Sequence, residues 1–226
     1  MTHITVLFLL FSLVALNAVT GKQEQHYNIS QAQWEKEYKN GEWGYLDRVG
    51  IERARNAVIV NLFYAMYGGG AYGSLASVGE TNGIDSKDKS VKRILDVGCG
   101  LGTLSDYLHG PQRAMYLGLD LSEEAVKMAR TIRSPSGRER GGGMPPLQVN
   151  QFMQTESSTW KPPNGEKYGT IIFNEMLYYV NHKEVMKHYA QFLEPEGIIV
   201  VSVWFQQKYV NTRKCRGYVV CSMLHV

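Results

Sequence analysis

Residues 93–103, RILDVGCGLGT, decide how this chain folds. The run ILDV reads as a buried strand and Gly98, Gly100 and Gly102 as a loop, with a helix following through Leu104, Tyr107 and Leu108. A strand, glycine loop and helix in this order bring a ligand against bare backbone at the strand's carboxyl end. Glycine-rich turns are common, and a plain strand-to-helix turn shares the spacing. Two details narrow the reading. The glycines run G-x-G-x-G, with Thr103 where a dinucleotide fingerprint would carry its third glycine, and Asp96 is expected inside the loop just before Gly98. A carboxylate there would repel a pyrophosphate, whereas it would accept hydrogen bonds from an ammonium group.

A second carboxylate points the same way. Residues 114–119, AMYLGL, form another short apolar run that ends at Asp120, with Leu121 beside it. An acidic residue about 20 positions beyond a glycine loop, at the end of the next strand, is placed to bind the two hydroxyls of a ribose. Ser122 then reads as the cap of a helix with Glu123 and Glu124 in its first turn and Lys127 and Arg130 later, the charge order that suits the helix dipole.

These motifs resemble the class I S-adenosylmethionine-dependent methyltransferases. VKRILDVGCGLGTLSDYL is similar to that family's first motif and YLGLDLSEEAVKMAR to its second. YGTIIFNEMLYYV, residues 168–180, resembles the fourth-strand motif, and LEPEGIIVVSVW, residues 193–204, the fifth strand with its preceding turn. The segment WEKEYKNGEWGYLD, residues 34–47, resembles the cap of a subgroup that includes the nodulation N-methyltransferases. The resemblance implies an α/β Rossmann-like sheet with helices on both faces, an N-terminal helical cap, and S-adenosyl-L-methionine as cofactor. It assigns the backbone of Gly98, Cys99 and Gly100 to the methionyl portion, Asp96 to its ammonium, Asp120 and Leu121 to the ribose, and Glu156 to the adenine. Asn174 and Glu175 are expected beside the sulfonium, Glu175 binding a cationic amine or accepting its proton. Tyr178 would line the acceptor pocket with Tyr179, and Trp43 would close a lid with Tyr45. Arg55, on the polar side of its helix, is expected at the surface, with a contact to the methionyl carboxylate as the alternative.

Length and composition set the bounds. The 226 residues, 44% hydrophobic, support one α/β domain with a full core. A net charge of +3 and the lack of a basic run interleaved with aromatics give no footprint for nucleic acid. Cys99, Cys215 and Cys221 make no even disulfide framework and no metal-ligand spacing, so no metal is expected. Residues 6–16, VLFLLFSLVAL, have the length of a signal-peptide core and fall short of a comfortable span. Residues 1–21 are therefore expected to be a signal peptide or an anchor. That places the chain in the secretory pathway, with Asn28 in a glycosylation sequon. A membrane anchor or a cytoplasmic chain with an unused leader is the alternative.

Residues 22–90 are expected to form the cap and a flexible insertion, and residues 91–226 the Rossmann-like domain. Ser30 should cap a helix through Trp34 and Tyr38. A second helix is expected from Tyr45 to Tyr67, burying a stripe of Ile51, Ala54, Val58, Leu62 and Ala65 and stopped by Gly68, Gly69 and Gly70. Family members usually continue past the fifth strand with a helix and an antiparallel strand pair. Here residues 205–226 leave room for one edge strand near Tyr218 and Cys221, so the end of the sheet is expected to be shortened. The expected reaction is methyl transfer to a small-molecule acceptor, an amine by the subgroup resemblance. Its rivals are a degenerate binding protein of the same fold and a nicotinamide-dependent oxidoreductase, which Asp96 and Thr103 disfavour.

Overall fold

The computed structural model describes residues 29–71, 92–108, 110–133, 151–208 and 214–222. The leader, Asn28, most of the expected insertion at 72–90 and the loop at 134–146 lie outside the described residues. Strands β1 (Ile94–Val97), β2 (Tyr116–Asp120), β3 (Phe152–Gln154), β4 (Tyr168–Asn174), β5 (Leu193–Lys208) and β6 (Lys214–Ser222) form one sheet in the order β3-β2-β1-β4-β5-β6. The first five are parallel, and β6 returns antiparallel along residues 200–208 of β5. The order reverses between β1 and β4, which opens a crevice at their carboxyl ends where such sheets bind ligands.

Strand parity sorts the core into two layers. Ile94, Tyr116, Phe152, Ile172, Ile198 and Val200 point to one face, where they meet Ile59 and Val60 of α2 (Gly50–Ala71) and Val126 and Ala129 of α4 (Glu123–Arg133). Leu95, Val97, Leu119, Ile171, Phe173 and Ile199 point to the other, under Val185 and Tyr189 of α5 (His182–Ala190) and Trp160. The sheet is thus covered by helices on both sides, as a parallel sheet requires, and the Rossmann-like expectation holds. No helix among the described residues is long and apolar enough to cross a membrane.

Several local expectations are corrected. Helix α1 (Gln31–Lys39) starts as expected, with the Ser30 hydroxyl accepting from the Gln33 N–H. The next element is a 3₁₀ turn, Gly44–Asp47, and α2 begins only at Gly50. Helix α2 then runs through Gly68, Gly69 and Gly70 to Ala71, because glycine weakens a helix without removing a hydrogen bond. Its buried face is also the opposite one. Glu52, Arg55, Asn56, Ile59 and Val60 are buried, while Ile51 is 56% and Val58 49% exposed. The helix expected after the glycine loop is a single 3₁₀ turn, Thr103–Tyr107, followed by the five-residue α3 (Gly110–Ala114). Finally, a tight turn around Glu196, with φ of +62°, lets β5 pair Leu193 with Tyr168 and then Ile198 with Thr170.

Candidate cofactor and acceptor site

The glycine loop is held from below and behind. Gly98 and Cys99 donate their N–H groups to the Leu119 carbonyl at 2.8 and 2.9 Å, which fastens the loop to the end of β2. Arg133 of α4 donates to the Leu101 carbonyl at 3.1 Å and pairs with Asp106 at 2.5 Å, while Arg113 donates to the Ser105 carbonyl. Gly98, Gly100 and Gly102 all have left-handed φ, of +77°, +53° and +69°, a region that glycine enters without strain. The three look onto different things. A Cβ on Gly98 would lie 2.7 Å from Cβ of Met176, and one on Gly102 would lie 2.5 Å from the Phe152 ring. One on Gly100 would meet only the Tyr38 hydroxyl, at 2.9 Å.

Asp96 belongs to β1 rather than to the loop, one residue before its end. Its parity turns it toward α2, and it is 1% exposed. Oδ2 accepts from the Tyr116 hydroxyl at 2.8 Å, and buried Oδ1 has no partner. Burial raises the carboxyl to about 7, against the opposing hydrogen bond from Tyr116. Such an oxygen costs about 1–3 kcal/mol if left unmet, so the geometry suits a cationic donor at this point of the crevice. The space for Tyr116 comes from Gly118, which pairs with Asp96 across the strands and where a Cβ would fall 2.9 Å from the Tyr116 hydroxyl. Cys99 is half-buried beside both aspartates; desolvation first, then Asp120 and Asp96, push its thiol well above the usual range. A protonated thiol there is a space-filler and no nucleophile.

Asp120 ends β2, with Oδ2 accepting from Gly100 N–H at 2.8 Å and Oδ1 from Ser122 N–H at 2.9 Å. Burial raises this carboxyl to about 6, while those N–H bonds oppose the rise. The two bonds fix the carboxylate at the mouth of the loop and leave further lone pairs on each oxygen. Leu121 adjoins it and accepts from the Gln154 amide at 3.1 Å, and Thr155 N–H donates to the Asp120 carbonyl at 2.8 Å. The loop after β3 is therefore beside Asp120. Glu156 itself is exposed, and its carboxylate accepts from Ser158 N–H and hydroxyl at 3.2 and 3.1 Å, inside its own loop.

Asn174 and Glu175 follow at the end of β4. The Asn174 amide donates to Asn56 of α2 at 3.0 Å, and its buried oxygen has no partner. Glu175 has φ of +59°, a conformation costing about 1–2 kcal/mol for a non-glycine residue. It is held there by its N–H to the Ser202 carbonyl at 3.0 Å and by two hydroxyls on its carboxylate, Ser202 at 2.6 Å and Tyr178 at 2.5 Å. Tyr178 stands edge-on to Tyr179, and Tyr179 edge-on to Trp34 at 4.9 Å. Trp43 joins the same cluster, 5.3 Å from Trp34, 6.2 Å from Tyr38 and 6.0 Å from Tyr45, with its indole N–H on Glu37 at 3.1 Å. The phenol of Tyr45 is raised by burial, then by Glu52, while Arg55 lowers it and Glu175 raises it, which places Tyr45 among these charges.

Arg55 is not on the surface. It is 8% exposed, paired with Glu52 one turn earlier, and its charge acts on Asp96. Asn56, Ser202, Tyr116 and Glu35 were not singled out from sequence. Strand parity would have found Ser202, which shares a register position with Asn174. Nothing local marks Glu35 or Asn56, whose partners lie 87 to 118 residues away. No cluster of three or more His, Cys, Asp or Glu among the described residues is arranged to hold a metal ion.

The chain is similar in sequence to known methyltransferases. The ubiquinone biosynthesis O-methyltransferase of Pasteurella multocida is 30% identical over 113 residues, 49% of this chain and 46% of that protein. The enzyme of the same name from Idiomarina loihiensis is 33% identical over 113 residues, 49% of this chain and 42% of that one. The matched stretch thus spans less than half the length of these curated relatives. Among solved structures, the DhpI–SAH complex aligns with a TM-score of 0.49 at 12% identity, covering 90% of this chain and 83% of that one. The family model described as "Methyltransferase domain" matches residues 77–217, a span that contains the glycine loop, both aspartates and the turn after β4, and the chain belongs to that family.

Proposed function

We propose that this chain binds S-adenosyl-L-methionine across the carboxyl ends of β1, β2 and β4 and transfers its methyl group to a small-molecule amine. One observation carries the cofactor reading: two carboxylates flank the Gly98–Gly100 backbone, the half-buried Asp120 and the fully buried Asp96, and Asp96 keeps a buried oxygen with no partner. In this reading Asp96 takes the methionyl ammonium, Asp120 the ribose hydroxyls, and Arg55 faces the methionyl carboxylate. Leu121 and the 154–156 loop border the adenine. The sulfonium supplies the reactivity, so the protein's task is positioning. Glu175, fixed by Ser202 and Tyr178, binds the acceptor's ammonium and takes a proton from it, so that the neutral nitrogen bonds to the methyl carbon as the carbon–sulfur bond breaks and its electron pair goes to sulfur. The aromatic cluster of Trp34, Trp43, Tyr45, Tyr178 and Tyr179 beside that carboxylate favours a cationic group.

A hydroxyl acceptor is the second reading, favoured by the curated relatives named as O-methyltransferases. Incubation with methyl-labelled cofactor and parallel panels of amines and phenols separates the two. Label on amines alone supports the first. Binding of S-adenosylhomocysteine without transfer to either panel would reduce the chain to a binding protein, and binding of NAD in its place would overturn the cofactor assignment. The leader at residues 6–16 supports a secretory route, which N-terminal sequencing after expression in a secretory host would test: an intact Met1 and unmodified Asn28 would remove it.

A further inference from the structure

We infer that Glu35 is the anchor that seats helix α1 over the cofactor crevice, which makes it a positioning residue for Asp120; this rests on reading Asp120 as the ribose carboxylate. Glu35 lies on α1, yet its carboxylate accepts from the Ser122 hydroxyl at 2.9 Å, the Glu123 N–H at 2.6 Å and the Glu124 N–H at 2.9 Å. Those N–H groups belong to the first turn of α4, where a helix has no internal acceptors for its donors. The helix is therefore capped twice: by its own Ser122, whose hydroxyl oxygen accepts from Ala125 N–H at 3.1 Å, and by a carboxylate from another element.

General electrostatics does not explain this contact. Glu123 and Glu124 already occupy that turn, so a third acidic residue is repelled unless specific bonds hold it. They do hold it. Burial alone would raise the Glu35 carboxyl, but the Glu124 and Glu123 N–H bonds and the Ser122 hydroxyl outweigh it and leave it below its ordinary value.

The same turn holds Asp120. Ser122 donates its hydroxyl to Glu35 and its backbone N–H to Asp120, so one residue links the cap to the ribose carboxylate. At the next turn of α1, Tyr38 is 7% exposed, and its hydroxyl fills the space beside Gly100. Trp34 reaches the other bank of the crevice, against Tyr179 after β4. Helix α1 thus spans the crevice from α4 to the turn that carries Glu175, with Glu35 as its polar fastening on the ribose side. Exchange of cofactor requires that fastening to open.

The test uses the full chain with S-adenosylhomocysteine, followed by stopped-flow quenching of tryptophan fluorescence, since Trp34 and Trp43 sit in the moving cap. In Glu35→Gln one oxygen becomes an N–H donor facing other donors. The expected result is about tenfold faster release and a similar loss of affinity, the scale of one charge-assisted hydrogen bond, with a small fall in melting temperature from the weakened cap. Glu35→Asp, which keeps the charge on a shorter arm, should fall between and serves if the Gln variant fails to fold. Paired with Asp120→Ala, the Glu35→Gln loss should be smaller than in the parent, because the two act through Ser122. Unchanged release in a folded Glu35 variant, or full additivity, overturns the inference. Unchanged affinity in Asp120→Ala alone instead overturns the ribose reading, so the two failures are told apart.

Discussion

Asp96 and Asp120 are two carboxyls that burial raises, to about 7 and about 6, and their titration bears on both stability and binding. Because the folded values lie above the unfolded ones, their stabilising contribution is full below pH 4 and is lost as pH rises through about 6 and then about 7. Ligand reverses this. An ammonium beside Asp96 and hydroxyls donating to Asp120 favour the ionised forms, so binding releases protons and tightens as pH rises toward 7. The thermal shift given by S-adenosylhomocysteine should therefore grow from pH 5 to pH 8, and calorimetry in buffers of different ionisation enthalpy should show proton release. A shift independent of pH would remove both aspartates from the binding reaction. Asp120→Ala should also weaken binding by about 1.5–3 kcal/mol, the range for hydrogen bonds to a charged group. Both aspartates were legible in the sequence, because motif spacing fixes a strand end. The Tyr116 hydroxyl on Asp96 was not, since it depends on the register that sets Gly118 opposite Asp96.

At the scale of elements, the three loop glycines divide by what a side chain would strike. Gly102→Ala puts a Cβ 2.5 Å from the Phe152 ring in a left-handed backbone, so it should destabilise the fold by about 2–4 kcal/mol, strain and overpacking together. Gly100→Ala meets only the Tyr38 hydroxyl and should cost about 1–2 kcal/mol, mostly backbone strain, while weakening cofactor binding. Urea unfolding followed by ligand titration on each variant checks the order, and a Gly102 variant as stable as the parent would contradict the packing. Gly98 aligns with Gly102, because Met176 fills its Cβ position; a β-branched side chain there disturbs the fold as well as the ligand contact. Helix α2 shows where pattern reading fails. Its apolar stripe at Ile51, Ala54 and Val58 is real, yet periodicity reveals only that a helix has two faces. The polar face turned inward because Asp96, Asn174 and Ser202 occupy the strand ends that it covers.

Across the whole molecule, the cofactor half and the acceptor half differ in how they are encoded. The first is built from strand, loop and helix close in sequence, so its fingerprints could be read directly. The second joins α1 and α2 to the turn after β4, 100 residues or more further along the chain, through contacts such as Asn56 with Asn174 and Trp34 with Tyr179. Its residue types were visible, but their meeting was not. The two halves should also separate in function. Glu175 is held by Ser202 and Tyr178, whereas Asp120 binds Gly100 directly. Glu175→Gln keeps the side chain's size and loses its basicity, so turnover should fall by about 10²–10⁴, the span ascribed to general acid–base catalysis. Affinity for S-adenosylhomocysteine should stay within about twofold, in contrast to the loss of 1.5 kcal/mol or more expected for Asp120→Ala. Initial rates with a labelled methyl donor and calorimetry on the same preparations give both quantities. Full turnover in Glu175→Gln would remove the carboxylate from the chemistry and leave it as a clamp between β4 and β5. A parallel loss of cofactor affinity would show that the strained turn at Glu175, rather than its charge, is what the site requires.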